Sequence, residues 1–191
     1  MPSRSHAVAV DDWSARATLL GYTALTYAIS WSLWGVWAIS ETGSTPPGTL
    51  LFGGGLEEPG RRGYLLPAHQ EAYSPLTAGL LVGVVWAGWH LPLVFIPGTI
   101  QHTLPLGLYL FQLVELSILL TWLTNWVDGR ILPAILLHAG ANALLNYYPV
   151  GGAAGATTPL GFGLLVMMLA IAVVALAISA GQSLGVARPA R

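Results

Sequence analysis

Long stretches without a charged side chain limit what this chain can fold into. Residues 17–40, 72–114 and 131–187 contain no Asp, Glu, Lys or Arg. A helix that crosses a bilayer needs about 20 consecutive, mostly apolar residues. The first stretch can hold one such helix, the second one and part of another, and the third two. Because 54% of all residues are also hydrophobic, the sequence indicates an integral membrane protein.

Turn-forming residues divide these stretches into helices. Segments rich in Pro, Gly or polar residues interrupt the apolar sequence at 42–48, 71–75, 95–105, 128–133 and 147–159. The sequence therefore predicts one all-α membrane domain over residues 1–191, a bundle of about six transmembrane helices with an intramembrane polar cavity. The predicted helices are 18–40, 50–69, 75–96, 104–127, 132–147 and 159–181.

The arginines outside the most charged segment predict the orientation. An even number of spans leaves both termini on one side of the membrane, together with the loop between the fourth and fifth helices. Cytoplasmic segments of membrane proteins carry an excess of Lys and Arg. The predicted cytoplasmic side is therefore the one that carries Arg4, Arg16, Arg130, Arg188 and Arg191.

The composition also excludes several classes of protein. Net charge is −1 and no basic patch is present, which argues against a nucleic-acid partner. The absence of cysteine excludes disulfides and thiolate metal sites. Heavy use of Ala, Gly, Trp and Pro, with Arg but no Lys, indicates a bacterial source. We therefore expect a multi-pass protein of a bacterial cell membrane.

The segment "LEEPGRRG" at 56–63 concentrates charge within apolar sequence. Four of the chain's fifteen charged residues lie there. On a helix, Glu58 and Arg62 share a face, as do Glu57 and Arg61. The two glutamates are neighbours and point about 100° apart. One ion pair can therefore be structural while the other carboxylate faces a cavity, although two purely structural pairs would give the same pattern.

Three further polar side chains lie in predicted apolar helices. His90 follows "VVWAGW", and His138 and Asn142 lie four apart in "ILPAILLHAGANALL". Each histidine alone is more typical of a hydrogen-bonded packing residue than of a catalyst. Together with a carboxylate, however, these groups can activate water and stabilise an oxyanion.

Three motifs resemble one family of membrane proteases. "EEPGRRG" (57–63) is similar to the glutamate–glutamate–three–arginine motif of the CAAX protease and bacteriocin-processing family. "WAGWH" (86–90) resembles its aromatic–three–histidine motif, and "HAGAN" (138–142) its histidine–three–asparagine motif. Their order, spacing and apolar setting agree with the family over residues 50–148. Its members are polytopic intramembrane endopeptidases, including the Ras-converting CAAX prenyl endopeptidases.

The resemblance implies roles for the charged motif. Glu57 would be the general base that activates water, and Glu58 and Arg62 would form a supporting ion pair. Arg61 departs from the pattern, because family members usually carry an aromatic residue there. Its charge would bind a substrate carboxylate, pair with Glu57, or weaken Glu57 as a base.

The resemblance also implies the remaining catalytic roles and the substrate class. His90 would help to hold the water, and His138 and Asn142 would stabilise the oxyanion. The substrate would be a membrane-associated peptide or protein, cleaved in CAAX-type processing, bacteriocin maturation or self-immunity, with no cofactor. Glu115, alone in an apolar helix, is predicted to form an interhelical contact rather than to belong to the site.

Two other functions remain open from the sequence. A zinc endopeptidase would use Glu57, His90 and His138 as ligands, although the chain has no HExxH motif. A non-catalytic immunity or carrier protein would keep the polar core without turnover. Metal content distinguishes the zinc endopeptidase from a glutamate mechanism. Loss of activity on Glu57→Gln distinguishes the glutamate mechanism from the non-catalytic protein.

Overall fold

The structure, a computed structural model, describes residues 12–39, 57–147 and 158–186. Within these ranges all regular secondary structure is helical, which confirms the predicted fold class. A 3₁₀ turn at Gly181–Ser183 follows the last helix. The helices are α1 (Asp12–Ile39), α2 (residues 57–70), α3 (Pro75–Val94), α4 (Ile100–Thr103), α5 (Leu106–Trp126), α6 (Leu132–Tyr147) and α7 (Pro159–Ala180).

Each of the six predicted helices corresponds to one of these elements. The first part of the predicted helix 50–69, up to residue 56, lies outside the described residues. The one unpredicted helix is α4, which occupies the break predicted at 95–105. Thr99 caps this short helix, since its hydroxyl accepts a hydrogen bond from the backbone N–H of His102 at 3.1 Å.

Three helices in the described residues are long and apolar enough to cross a membrane. They are Pro75–Val94, Leu106–Trp126 and Pro159–Ser183. Exposed apolar side chains cover much of α7, where Leu160 is 75% and Ile178 80% exposed. A surface of this kind is suited to lipid rather than to water. The predicted number of six spans stays a prediction.

The chain divides into two units, Met1–Ser40 and Glu41–Arg191. The first contains α1, a 28-residue helix in which the hydroxyls of Thr23 and Thr26 donate to backbone carbonyls one turn earlier. The second contains α2 to α7 and all the polar side chains of the three motifs. The prediction of a single domain stays a prediction.

Helices α3 and α5 form the most extensive contact between helices in the second unit. Two glycines of α3 allow the close approach, since a Cβ at Gly79 would lie 2.8 Å from Oγ1 of Thr121. A Cβ at Gly83 would lie 2.9 Å from Cβ of Ser117. Small residues four apart bring helices together in this way in membrane proteins. The same two hydroxyl residues take part in the polar network described below.

Helix α2 is widened at the charged motif. Residues 61–65 form a π-helical turn, in which the backbone N–H of Leu66 donates to the carbonyl of Arg61. Pro67 gives a physical reason, because it cannot donate to the carbonyl of Gly63 and its ring would clash with that group in a regular α-helix. Single π turns within α-helices occur frequently at functional sites. Here the widened turn includes both arginines of the motif.

Candidate active site

Glu58 lies at the centre of a buried network of ionic groups. It is fully buried, and each carboxylate oxygen is bonded. Oε2 accepts a hydrogen bond from Nε of Arg62 at 3.0 Å, the ion pair that the spacing predicts. Oε1 accepts from Nη2 of Arg61 and from Nδ1 of His138, both at 2.9 Å. With three donors on two oxygens, Glu58 is held in one position.

Arg62 connects α2 to α5. It is 1% exposed, and its two terminal nitrogens donate to the hydroxyls of Thr121 at 3.0 Å and of Ser117 at 3.1 Å. Ser117 in turn donates to the carbonyl of Gly79 at 2.8 Å. All three nitrogens of this guanidinium are therefore bonded, and the network ties α2, α3 and α5 together.

Arg61 interacts with both glutamates. Its Nη2 contacts Oε2 of Glu57 and donates to Oε1 of Glu58. Its guanidinium carbon lies 4.1 Å from the ring centroid of Trp86, a cation–π geometry. Of the three roles considered for Arg61, pairing with Glu57 is thus present. The additional bond to Glu58 is a feature that the sequence analysis did not predict.

Glu57 is the more accessible of the two carboxylates. Its side chain is 18% exposed, and it does not take part in the Glu58–Arg62 pair. Its Oε2 lies against Arg61, but that contact is outside hydrogen-bond geometry. No hydrogen bond from a described residue fixes its other oxygen. Glu57 therefore retains acceptor capacity that Glu58 has used up.

The partners of the two histidines assign their tautomers. Nδ1 of His138 lies 2.9 Å from the Glu58 carboxylate, and Nδ1 of His90 lies 3.1 Å from the backbone carbonyl of Trp86. Both partners accept hydrogen bonds, so both Nδ1 atoms carry the proton; this is inferred from the partners, since hydrogens are not observed. In each neutral ring Nε2 is then an acceptor. The 3.4 Å approach of Arg61 to Nδ1 of His138 is consequently not a second hydrogen bond.

Trp86 lies between the charged motif and both histidines. Its ring centroid is 4.9 Å from that of His138 and 5.8 Å from that of His90, in edge-on geometry. The His90 ring also lies edge-on to Trp89, with ring centroids 4.8 Å apart. Tyr109 of α5 contacts the same ring, with centroids 6.1 Å apart. The three motifs thus meet around one aromatic side chain.

The predicted site residues therefore assemble to different degrees. Glu58, Arg62 and His138 belong to one bonded network, and Glu57 reaches it through Arg61. His90 is linked to it through Trp86, and Asn142 lies one turn after His138 on α6, partly buried. The structure brings the motifs together, whereas the catalytic roles of their members stay predictions.

Sequence analysis missed the two hydroxyl residues that bind Arg62. The available signal was the spacing of Ser117 and Thr121, which are four apart in an otherwise apolar helix and so share a face. Glu115, on the same helix, was predicted to form an interhelical contact. In the described residues both of its carboxylate oxygens are buried and without a hydrogen-bond partner, so no hydrogen bond between helices supports this prediction.

No three or more His, Asp or Glu side chains of the described ranges are grouped so that they could hold a metal ion. Glu57, His90 and His138, considered above as zinc ligands, do not form such a group. Nδ1 of each histidine is already engaged in a hydrogen bond, so neither Nδ1 is available to a metal ion.

Comparison with known proteins gives one family and one curated relative. Residues 47–144 match the family described as type II CAAX prenyl endopeptidase Rce1-like, and all three motifs fall within that range. A stretch of 95 residues is 33% identical to CAAX prenyl protease 2 of Methanococcus maripaludis. No solved structure matches the chain.

The matches have a limited extent. The stretch shared with the relative covers 47% of this chain and 35% of the relative, so the similarity spans about a third of that protein's length. The family match itself covers half of the chain and includes every residue of the network around Glu58. The chain therefore belongs to the Rce1-like family of type II CAAX prenyl endopeptidases.

Proposed function

We propose that this protein is an intramembrane endopeptidase in which Glu57 activates a water molecule to hydrolyse a peptide bond. The observation that carries the proposal is the unequal environment of two adjacent carboxylates. Glu58 is fully buried and accepts three hydrogen bonds, so it has a structural role. Glu57 is partly exposed beside it, and no described residue donates a hydrogen bond to its carboxylate. In this proposal Glu58 positions its neighbours and Glu57 carries out the chemistry.

The catalytic step needs only groups of this chain and water. Glu57 accepts a proton from water as the water oxygen forms a bond to the carbonyl carbon of the substrate. The π electron pair of that carbonyl moves to its oxygen and gives a tetrahedral oxyanion. Glu57 then returns the proton to the leaving amine as the C–N bond breaks. A general base of this kind contributes about 10²–10⁴-fold to the rate.

The histidines and Asn142 assist on either side of this step. Nε2 of neutral His90 accepts a hydrogen bond from the attacking water and orients it. The Asn142 amide donates to the oxyanion whatever the protonation state of His138. Nε2 of His138 contributes a donor when the ring carries a second proton, with Nδ1 still bonded to Glu58. The assignment of these roles rests on the motif resemblance and on the meeting of the motifs around Trp86.

The proposed substrate is a membrane-associated peptide or protein. The apolar helices and the name of the relative, CAAX prenyl protease 2, support processing of a lipid-modified or membrane-inserted tail. Bacteriocin maturation and self-immunity are the other substrate classes within this proposal. We also propose a multi-pass protein of a bacterial cell membrane, with cytoplasmic termini and no nucleic-acid partner, on the arginine distribution and the net charge of −1.

We propose that the reaction requires no metal. The three donors on Glu58 leave it unsuited to bind zinc, and a zinc-bound Glu57 would no longer be a free base. Asn142 is a weak zinc ligand but a good donor to an oxyanion. These features support glutamate chemistry over the zinc alternative, which elemental analysis tests below.

The first experiment measures cleavage of an internally quenched prenylated peptide by protein purified in detergent. We expect Glu57→Gln to lower kcat by about 10²-fold or more while the protein still folds. Glu71→Gln is the matched control, because Glu71 is exposed after the end of α2. If the Glu57→Gln variant turned over substrate at the wild-type rate, Glu57 would be excluded as the base. N-terminal proteomics of membranes with wild-type protein and with the variant then identifies the natural substrate.

A non-catalytic immunity or carrier protein would behave differently in the same experiments. It would generate no new N-termini in membranes and would retain its biological effect when Glu57 is replaced. The proteomic comparison therefore separates the enzyme from this alternative even if the prenylated peptide is not a substrate.

A further inference from the structure

Arg61 carries a charge directly beside the proposed base, where it can act on the reaction itself. We propose that Arg61 is a catalytic residue that stabilises the oxyanion of the tetrahedral intermediate. The inference rests on the proposed function of Glu57 and goes beyond it, since neither the pair of Glu58 and Arg62 nor the histidine motifs require a second arginine at this position.

The position of Arg61 is fixed from several sides. Its Nη2 contacts both glutamates, and its guanidinium stacks over Trp86 at 4.1 Å. The residue is 7% exposed, so little solvent reaches it. A charge held in place in a water-poor site stabilises a transition state more effectively than a mobile, solvated one, because nothing has to reorganise during the reaction.

Arg61 also has unused donors. Its Nε is buried and makes no hydrogen bond to any described residue, and its Nη1 likewise bonds none of them. Arg62, its neighbour, has all three nitrogens bonded. A buried donor without a partner is rare in proteins and destabilises the folded state, so its persistence calls for a reason. An oxyanion that forms next to Glu57 would supply the missing acceptor.

The two histidines, when neutral, do not provide the hydrogen-bond donors that an oxyanion needs. Whenever these rings are neutral and carry their proton on Nδ1, the Nε2 atoms of His90 and His138 accept rather than donate. An oxyanion needs donors, and of the two residues assigned to the oxyanion so far, His138 and Asn142, Asn142 alone donates whatever the protonation state of the histidine. A guanidinium is protonated at every working pH and donates without a prior proton transfer. Arg61 therefore provides positive charge that does not depend on the state of His138.

The movement of charge during the reaction matches this position. Before attack, the negative charge lies on Glu57 and Arg61 neutralises it. When Glu57 takes the water proton, that carboxyl becomes neutral and the negative charge appears on the carbonyl oxygen. The attacking water oxygen and the oxyanion are bonded to the same carbon, so the new charge forms close to the old one. Arg61 thus exchanges one ionic partner for another, and the second partner exists only along the reaction path.

The test replaces Arg61 and measures kcat and KM separately, using the substrate established with the Glu57 variant. We expect Arg61→Gln to lower kcat by about 10²–10³-fold, the usual effect of losing one oxyanion donor. KM should change by less than about threefold, because the interaction forms only after substrate has bound. Arg130→Gln, which removes an exposed arginine from the α5–α6 loop, is the matched control and should retain wild-type kinetics.

Two further measurements separate catalysis from a structural role. Guanidinium ion added to Arg61→Ala should restore part of kcat, and the same addition should not improve Glu57→Gln. Arg61→Lys keeps a charge over Trp86 and should lose less kcat than Arg61→Gln if both fold. An equal loss in these two variants, without rescue by guanidinium, would show that Arg61 acts by supporting the fold.

The remaining outcomes are equally distinct. A rise in kcat for Arg61→Gln would mean that Arg61 restrains Glu57 and would overturn the proposal. Unchanged kcat in that variant, with Glu57→Gln inactive, would refute the role of Arg61 and leave the role of Glu57 intact. Full activity of Glu57→Gln would instead refute the proposed function itself.

Discussion

A 2.9 Å hydrogen bond from Nδ1 of His138 to Oε1 of Glu58 joins two residues that lie 80 positions apart in the chain. It connects the charged motif on α2 with the histidine–asparagine motif on α6. Because Glu58 is held on its other side by Arg62, the bond fixes the His138 ring relative to α5 as well. The position of one proposed catalytic side chain therefore depends on a fully buried carboxylate.

Replacement of His138 tests this bond. We expect His138→Leu to lower the free energy of unfolding by about 1–3 kcal/mol, because a buried carboxylate loses one of its donors. His138→Asn should lose less, since its side-chain amide can place a donor near the position of Nδ1. Thermal denaturation in detergent measures both variants. Equal stability of the two would indicate that the bond contributes little.

The two glutamates should respond differently to the same substitution. Glu58→Gln removes the negative charge of a buried carboxylate that pairs with two arginines. We therefore expect a clear loss of thermal stability as well as of activity. Glu57→Gln, at the more accessible position, should lose activity with a much smaller change in stability. Parallel melting curves and peptide assays compare them. A larger stability loss for the Glu57 variant would reverse our assignment of structural and catalytic roles.

Removal of Arg62 should damage folding more than removal of an exposed arginine. Arg62→Ala removes the donor to Oε2 of Glu58 and the donors to two buried hydroxyl groups, and breaking a buried ion pair by losing one member costs roughly 3–5 kcal/mol. We expect low folded yield on size-exclusion chromatography in detergent. Arg130→Ala, on the exposed α5–α6 loop, should remain stable. If Arg62→Ala is as stable as this control, the network does not hold α2 in place.

The close contact of α3 with α5 gives a matched pair of glycine substitutions. Gly79→Ala would place its Cβ 2.8 Å from Oγ1 of Thr121, so we expect a loss of about 1–3 kcal/mol from overpacking. It should also reduce activity, because Thr121 holds Arg62. Gly107→Ala on α5 meets nothing within 4 Å and should be neutral or slightly stabilising. Unfolding in detergent measures the difference between them.

Elemental analysis of active enzyme tests the proposal that no metal takes part. We expect less than stoichiometric zinc and full activity after dialysis against a chelator. One zinc per chain, lost together with activity and restored by zinc alone, would establish the metalloprotease instead.

Helical periodicity explains why part of the site could be predicted from sequence. Residues four apart share a helix face, so the pairs Glu58–Arg62 and Glu57–Arg61 followed from spacing alone. The charge-free stretches likewise predicted helices, since a membrane requires each span to satisfy its own backbone hydrogen bonds. The three motifs identified the family before any contact between them was known.

The tertiary structure decided which helix faces meet, and with them the partners of each charge. Spacing within α5 showed that Ser117 and Thr121 share a face, but not that this face lies against Gly79 and binds Arg62. Spacing within a helix likewise did not predict the hydrogen bond from His138 to Glu58. Nor did it predict that Arg61 contacts both glutamates while stacking on Trp86. Periodicity specifies the faces of one helix, whereas pairing between helices depends on close packing of residues far apart in the chain. The sequence therefore determined the parts of the site and their local pairs. Only the packing of the helices determined how one carboxylate is fixed in place while its neighbour stays partly exposed.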